Sequence, residues 1–160
     1  MSQDRDVVDP DVDLHVPAHR RELGGRQARV LGVIAVGGAL GALARYGVGT
    51  LLPTVPGRFP WGTFAINAVG CLLIGVLMVL VTDVFTARPL LRPFLGVGVL
   101  GGFTTFSTYA NEIRGLLRPG SVPLAFGYLA GMLVCALLAV LLGMVVTRRL
   151  LLATRPRVRS

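Results

Sequence analysis

Four apolar segments, at residues 30–52, 61–81, 91–117 and 122–147, constrain this chain most, because each approaches or exceeds the ~20 residues a helix needs to cross a bilayer. The breaks between them carry turn chemistry: Pro53, Pro56, Gly57, Arg58 and Pro60, then Asp83 with Arg88, Pro89, Arg92 and Pro93, then Arg118, Pro119, Gly120 and Pro123. Connections this short force neighbouring helices to run antiparallel. The expected fold is therefore an all-α membrane protein with four transmembrane helices, the third of them broken. The break is expected in Gly101-Gly102-Phe103-Thr104-Thr105-Phe106-Ser107-Thr108-Tyr109, which sets helix-breaking glycines, hydroxyls and spaced aromatics inside a membrane-length segment. Lipid does not tolerate unsatisfied backbone, so such a break survives only where the freed groups face protein, water or an ion.

Composition agrees with a membrane setting: 53% of residues are hydrophobic, mean hydropathy is +0.70, and after Glu22 only Asp83 and Glu112 are acidic. All 16 basic residues are Arg, for a net charge of +8. So basic a chain can signal nucleic-acid binding, but no soluble domain is left to carry it. Retention of cytoplasmic loops and contact with anionic headgroups account for the arginines instead. Residues 1–28, polar and without apolar periodicity, are expected to be a disordered cytoplasmic tail, followed by a four-helix transmembrane domain at 29–149 and a basic cytoplasmic tail at 150–160. The arginines before the first span and its Ala42-Leu43-Ala44 end resemble a cleavable secretory signal. The run is Gly-rich and continues into three further spans, which favours a retained first helix.

No soluble-enzyme constellation is present, and the chain is not expected to be an enzyme. The Gly-Gly pairs at 24–25, 37–38 and 101–102 lack a following Lys-Ser or Lys-Thr, so there is no nucleotide-binding loop. His15 and His19 sit in the polar tail, and Cys71 and Cys135 lie in apolar spans as small packing residues without metal-ligand spacing.

Polar residues inside the spans carry the functional reading. Arg45, near the end of the first span, is either a side chain snorkelling to headgroups or the charge of an electropositive vestibule. Asn67 lies inside the second span with Thr63 one turn before it on the same face. Its amide serves either inter-helix hydrogen bonding or ion coordination. In the third span Phe106 and Tyr109 share a face beside Ser107 and Thr108, and an aromatic ring has a positive edge that attracts an anion.

These residues resemble the CrcB or Fluc fluoride channels over roughly residues 30–149. The likeness rests on Gly-x-x-x-Arg-Tyr ending the first helix, Gly-Thr-x-x-x-Asn-x-x-Gly in the second and Gly-Gly-Phe-Thr-Thr-Phe-Ser-Thr in the third. The resemblance implies a passive fluoride exporter of the cell inner membrane, built as an antiparallel dimer with two pores and a central structural Na+. By position, the backbone carbonyls of Gly101 and Thr104 would hold that ion. Asn67 would hydrogen-bond fluoride, Phe106 and Tyr109 would form an aromatic box, Ser107 and Thr108 would extend a polar track, and Tyr128 matches the fourth-helix tyrosine. Tyr109 stands where Phe is usual, and after Tyr128 the fourth span has no hydroxyl until Thr147.

The rival readings are a small four-helix drug or cation exporter, which needs a membrane-buried carboxylate, and a non-transporting scaffold, which explains Gly37, Gly41 and Ala44 but neither Asn67 nor a broken helix. Asp83 and Glu112 are expected near the ends of their spans. Arginines are unevenly placed: eleven (20, 21, 26, 29, 88, 92, 148, 149, 155, 157 and 159) fall on the side of the termini and three (58, 114 and 118) on the other. Orientation follows such an imbalance, so both termini are expected in the cytoplasm. The second subunit is expected to be an oppositely oriented homologue, or otherwise a flipped copy of the same chain. The expected partners are fluoride, the lipid bilayer and that subunit, with no nucleic acid.

Overall fold

The computed structural model describes residues 25–84 and 88–154. Of the tails expected at 1–28 and 150–160, residues 1–24, with His15 and His19, and 155–160 lie outside the described residues. Helix α1 spans Arg26–Leu51 and α2 spans Trp61–Asp83. The next segment is built in pieces: α3, Pro93–Leu100, wound as a wide π-type helix, then the short α4, Gly101–Phe103, and α5, Phe106–Leu116. Helix α6 spans Val122–Thr154. Among the described residues there is no strand.

Three helical stretches are long and apolar enough to cross a membrane: Gln27–Leu51, Trp61–Asp83 and Val122–Ala153, with hydropathies of 1.5, 2.6 and 2.8. Polar chain flanks them. Gly57 and Gly120, with φ of 78° and 93°, make the turns before α2 and α6, a backbone region that side chains disfavour. The 33 residues of α6 reach about 50 Å at about 1.5 Å per residue. Leu150, Leu151 and Leu152 carry the helix past Arg148 and Arg149, so the boundary expected at 149/150 falls inside it.

Gly101 and Gly102 do not break the helix. Gly101 is helical, with φ −64° and ψ −38°, and the chain leaves helical geometry only at Thr104 and Thr105. What Gly102 provides is proximity: a Cβ there would collide with the Gly38 carbonyl of α1. Gly37 and Gly41 of α1 are likewise pressed against the backbone of Phe94 and Val99. On the other side of the bundle Gly75 of α2 meets the Val140 carbonyl, and Gly143 of α6 meets the Leu72 carbonyl. In a bilayer, where burial of apolar surface does not drive helices together, such backbone contact supplies the van der Waals attraction that does.

A small core of Leu116, Ala125, Tyr128 and Met132 joins α5 to α6, with Phe59, Phe64, Tyr109 and Ile113 packed around it. The contacts of Thr63 with Glu112, of Tyr128 with Glu112 and of Gly75 with Val140 give α2 and α6 the same direction. Arg148 and Arg149 therefore share an end of the bundle with Arg88 and Arg92. Arg29 joins them, sharing a cleft with Pro89 and Leu90. Arg58 and Arg118 line a cleft at the opposite end.

Candidate functional site

The site is built around two extended residues. Thr104 (φ −77°, ψ 160°) and Thr105 (φ −148°, ψ 124°) separate α4 from α5. Their polar groups would be orphaned in an apolar setting unless other elements met them. Asn67 of α2 meets Thr105 at two points: its Nδ2 donates to the Thr105 carbonyl at 2.9 Å and its Oδ1 accepts the Thr105 N–H at 2.9 Å. A side-chain amide carries this donor and acceptor pair side by side, so it replaces the neighbour an extended backbone lacks. The Thr104 N–H and hydroxyl both donate to the Leu100 carbonyl, at 3.0 and 2.9 Å. Thr105 also caps α5, its Oγ1 accepting the Thr108 N–H at 3.2 Å. Arg45 of α1 donates through Nε to the Gly102 carbonyl at 3.1 Å. Gly70 of α2 leaves the room that the Thr104 methyl fills.

Two clefts flank this interruption, and Thr105 borders both. The first, about 630 Å³, brings together Asn67, Thr105, Phe106 and Tyr109, with an apolar wall from Leu129, Met132 and Leu133 of α6. The second, about 590 Å³, is more polar and gathers Arg45, Thr50, Thr63, Thr108 and Glu112. Phe106 and Tyr109 have ring centroids 5.9 Å apart with planes tilted by 56°, and Phe106 is 79% exposed. The Thr105 hydroxyl donates to Thr108 Oγ1 at 3.0 Å and lies 3.3 Å from Ser107 Oγ.

The expected site residues thus divide. Asn67, Phe106 and Tyr109 share the first cleft; Thr108 and Arg45 face the second. Ser107 is exposed beside Thr105, outside both linings. Tyr128 is fully buried, in edge contact with the Tyr109 ring at 5.1 Å, and its hydroxyl donates to Glu112 at 2.8 Å. Gly101 is open, with only the Gly96 carbonyl 4.0 Å from where its Cβ would stand. With ψ at 160°, the Thr104 carbonyl is turned out of helical register. Hard main-chain oxygens of this kind suit a small monovalent cation.

Glu112 is the residue the sequence reading missed. It accepts from three hydroxyls: Thr54 at 2.9 Å and Thr63 at 2.8 Å on Oε1, and Tyr128 at 2.8 Å on Oε2. One carboxylate ties α5 to α2, to α6 and to the connection before α2. The signal was available, since Glu112 is the sole acid after Asp83 and sits in an apolar segment, where an acid needs partners.

The profile of the family described as CrcB-like protein, Camphor Resistance (CrcB) matches residues 32–144. A protein of Nocardia farcinica named Fluoride-specific ion channel FluC 2 is 59% identical over 114 residues, 71% of this chain and 81% of the relative. Fluoride-specific ion channel FluC 1 of Streptomyces coelicolor is 53% identical over 125 residues, 78% and 81% of the two chains. Fluoride-specific ion channel FluC of Paracoccus denitrificans is 44% identical over 117 residues, 73% of this chain and 93% of the relative. The matched stretch takes in Asn67, the interruption at Thr104 and Thr105, Glu112 and Tyr128, and on that ground the chain belongs to the CrcB-like family.

Proposed function

We propose that this chain is a subunit of a fluoride-selective channel that passively exports fluoride across the cell inner membrane. The carrying observation is the cleft in which the Asn67 amide and the Thr105 backbone lie beside the Phe106 and Tyr109 rings. Fluoride is small, strongly hydrated and a strong hydrogen-bond acceptor, so only close-set donors and positive ring edges replace its water. Each Asn67 Nδ2 carries two hydrogens, one of which goes to Thr105, leaving one for the cleft. Fluoride that enters as neutral hydrofluoric acid is trapped inside as the anion. The membrane potential then drives it out through a passive pore, at about 2.3 kcal/mol per charge per 100 mV.

In this reading α3, α4 and α5 together form the interrupted third of four transmembrane spans. A second, antiparallel subunit covers the face that carries Tyr46, Phe106, Ser107 and Thr108, because exposed hydroxyls at mid-span depth are unfavourable against lipid. Backbone carbonyls at Gly101 and Thr104 hold a structural Na+ between the subunits. The test is efflux from proteoliposomes that hold this chain together with its second subunit and are loaded with fluoride or chloride. Fluoride should leave and chloride should stay; retention of both, or equal loss, rejects the channel. Replacing sodium with a large organic cation during reconstitution should suppress fluoride efflux, and undiminished efflux removes the ion from the assignment.

Both termini are cytoplasmic in this reading, because Arg29, Arg88, Arg92, Arg148 and Arg149 crowd one end of the bundle. So fixed an orientation calls for an oppositely biased homologue as the second subunit, with flipped copies of this chain as the lesser route. Reporter fusions at the C-terminus should give a cytoplasmic signal alone. Equal cytoplasmic and external signals, with efflux from this chain expressed by itself, would exclude an obligate heterodimer.

A further inference from the structure

We propose that the Tyr109 hydroxyl is not an ion ligand but a tether, which fixes the ring of α5 to the main chain of α6 and so sets the ring edge presented to the first cleft. This rests on the fluoride reading of that cleft. The hydroxyl donates to the Leu129 carbonyl at 3.0 Å. A phenol has one proton, and a helical carbonyl has a second lone pair free to accept it, so this bond leaves the hydroxyl no donor to offer an anion. What it turns to its surroundings is oxygen lone pairs, which repel fluoride.

The physical need for the tether follows from the walls. Leu129, Met132 and Leu133 make this side of the cleft apolar, and a hydroxyl placed there without a partner is costly. The ring is gripped from two further directions, tilted against Phe106 at 5.9 Å and edge-on to Tyr128 at 5.1 Å. Three contacts from α5 and α6 leave it little freedom to rotate. Leu129 itself lines the cleft, so the bond also fixes the α6 wall relative to the rings. Tyr109 is therefore a positioning residue through its hydroxyl, whatever its ring edge does for the ion.

The experiment uses the full chain and Tyr109→Phe, which keeps the ring and removes the donor. Two readouts are taken: amide hydrogen exchange over residues 129–133, and the fluoride concentration that half-saturates flux in proteoliposomes. A tether predicts faster exchange over 129–133, because the Leu129 carbonyl loses its second partner and local opening becomes easier. It also predicts a lower maximal flux with an unchanged half-saturating concentration, since no fluoride ligand is lost. Unchanged exchange over 129–133, or a raised half-saturating concentration, overturns the tether. If the unmodified chain reconstituted with its second subunit passes no fluoride, the functional reading fails, while the exchange comparison still decides whether the hydroxyl holds α6.

Discussion

Asn67→Asp should abolish fluoride efflux, and two separate effects of one atom exchange explain the size of the loss. The amide now donates to the Thr105 carbonyl and accepts the Thr105 N–H, both at 2.9 Å. A carboxylate keeps the second bond and turns the first into a contact between two acceptors, which releases the extended residue from α2. The same carboxylate sets a negative charge in the cleft where the anion must pass. At 4 Å and an effective dielectric of about 20 the repulsion is about 4 kcal/mol, on the order of a thousandfold in occupancy. Phe106→Ile alters the cleft without the clamp or a charge, because Phe106 is 79% exposed in the subunit and its loss leaves the Asn67 contacts in place. Efflux should be impaired in Phe106→Ile and absent in Asn67→Asp, with both proteins eluting from a sizing column as the unmodified protein does. Normal efflux in both variants would remove the first cleft from the fluoride path.

Much of the architecture was legible because hydropathy and turn residues are local signals. The span expected at 61–81 is the helix Trp61–Asp83, and the one expected at 30–52 is Arg26–Leu51. Gly57 and Gly120 take positive φ in the turns expected there, whereas Asp83, Pro93 and Pro123, expected in breaks, lie in helices. Less legible was anything that depends on periodicity inside an apolar run. The wide winding of Pro93–Leu100 leaves no mark in a segment that is apolar all round, since every register looks the same. Glycine is permissive, so sequence alone points to residues 101 and 102 as the cause of the break; they are helical, and Gly102 is small for the sake of the Gly38 backbone. The actual interruption at Thr104 and Thr105 is stabilised by Asn67, 38 residues away from Thr105, and no local rule reports such a partner. From sequence alone Asn67 can serve either inter-helix bonding or ion coordination. The geometry gives it the first and leaves one amide hydrogen for the second.

Glu112→Ala should cost about 3 kcal/mol of stability, since it orphans two buried hydroxyls at about 1–3 kcal/mol each. Those hydroxyls are Tyr128, fully buried, and Thr63, which is 5% exposed; Thr54 is exposed and turns to water at little cost. Unfolding of the purified protein in detergent measures the loss. Glu112→Gln keeps an acceptor oxygen and should lose less. The decisive comparison adds Tyr128→Phe to Glu112→Ala. If the loss comes from an orphaned phenol, removing that phenol restores part of the stability; if the two losses simply add, the network is not what holds α5. The point reaches the proposed channel through α2. Thr63 and Asn67 stand one turn apart on that helix, one holding Glu112 and the other holding Thr105, at opposite parts of α5. A single face of α2 thereby fixes both the start of α5, where Phe106 emerges, and its far half, where Glu112 reaches the connection before α2 and α6. Loosening Glu112 should therefore lower fluoride flux in proportion to the stability lost, without changing the preference for fluoride over chloride, because the donors of the first cleft are untouched.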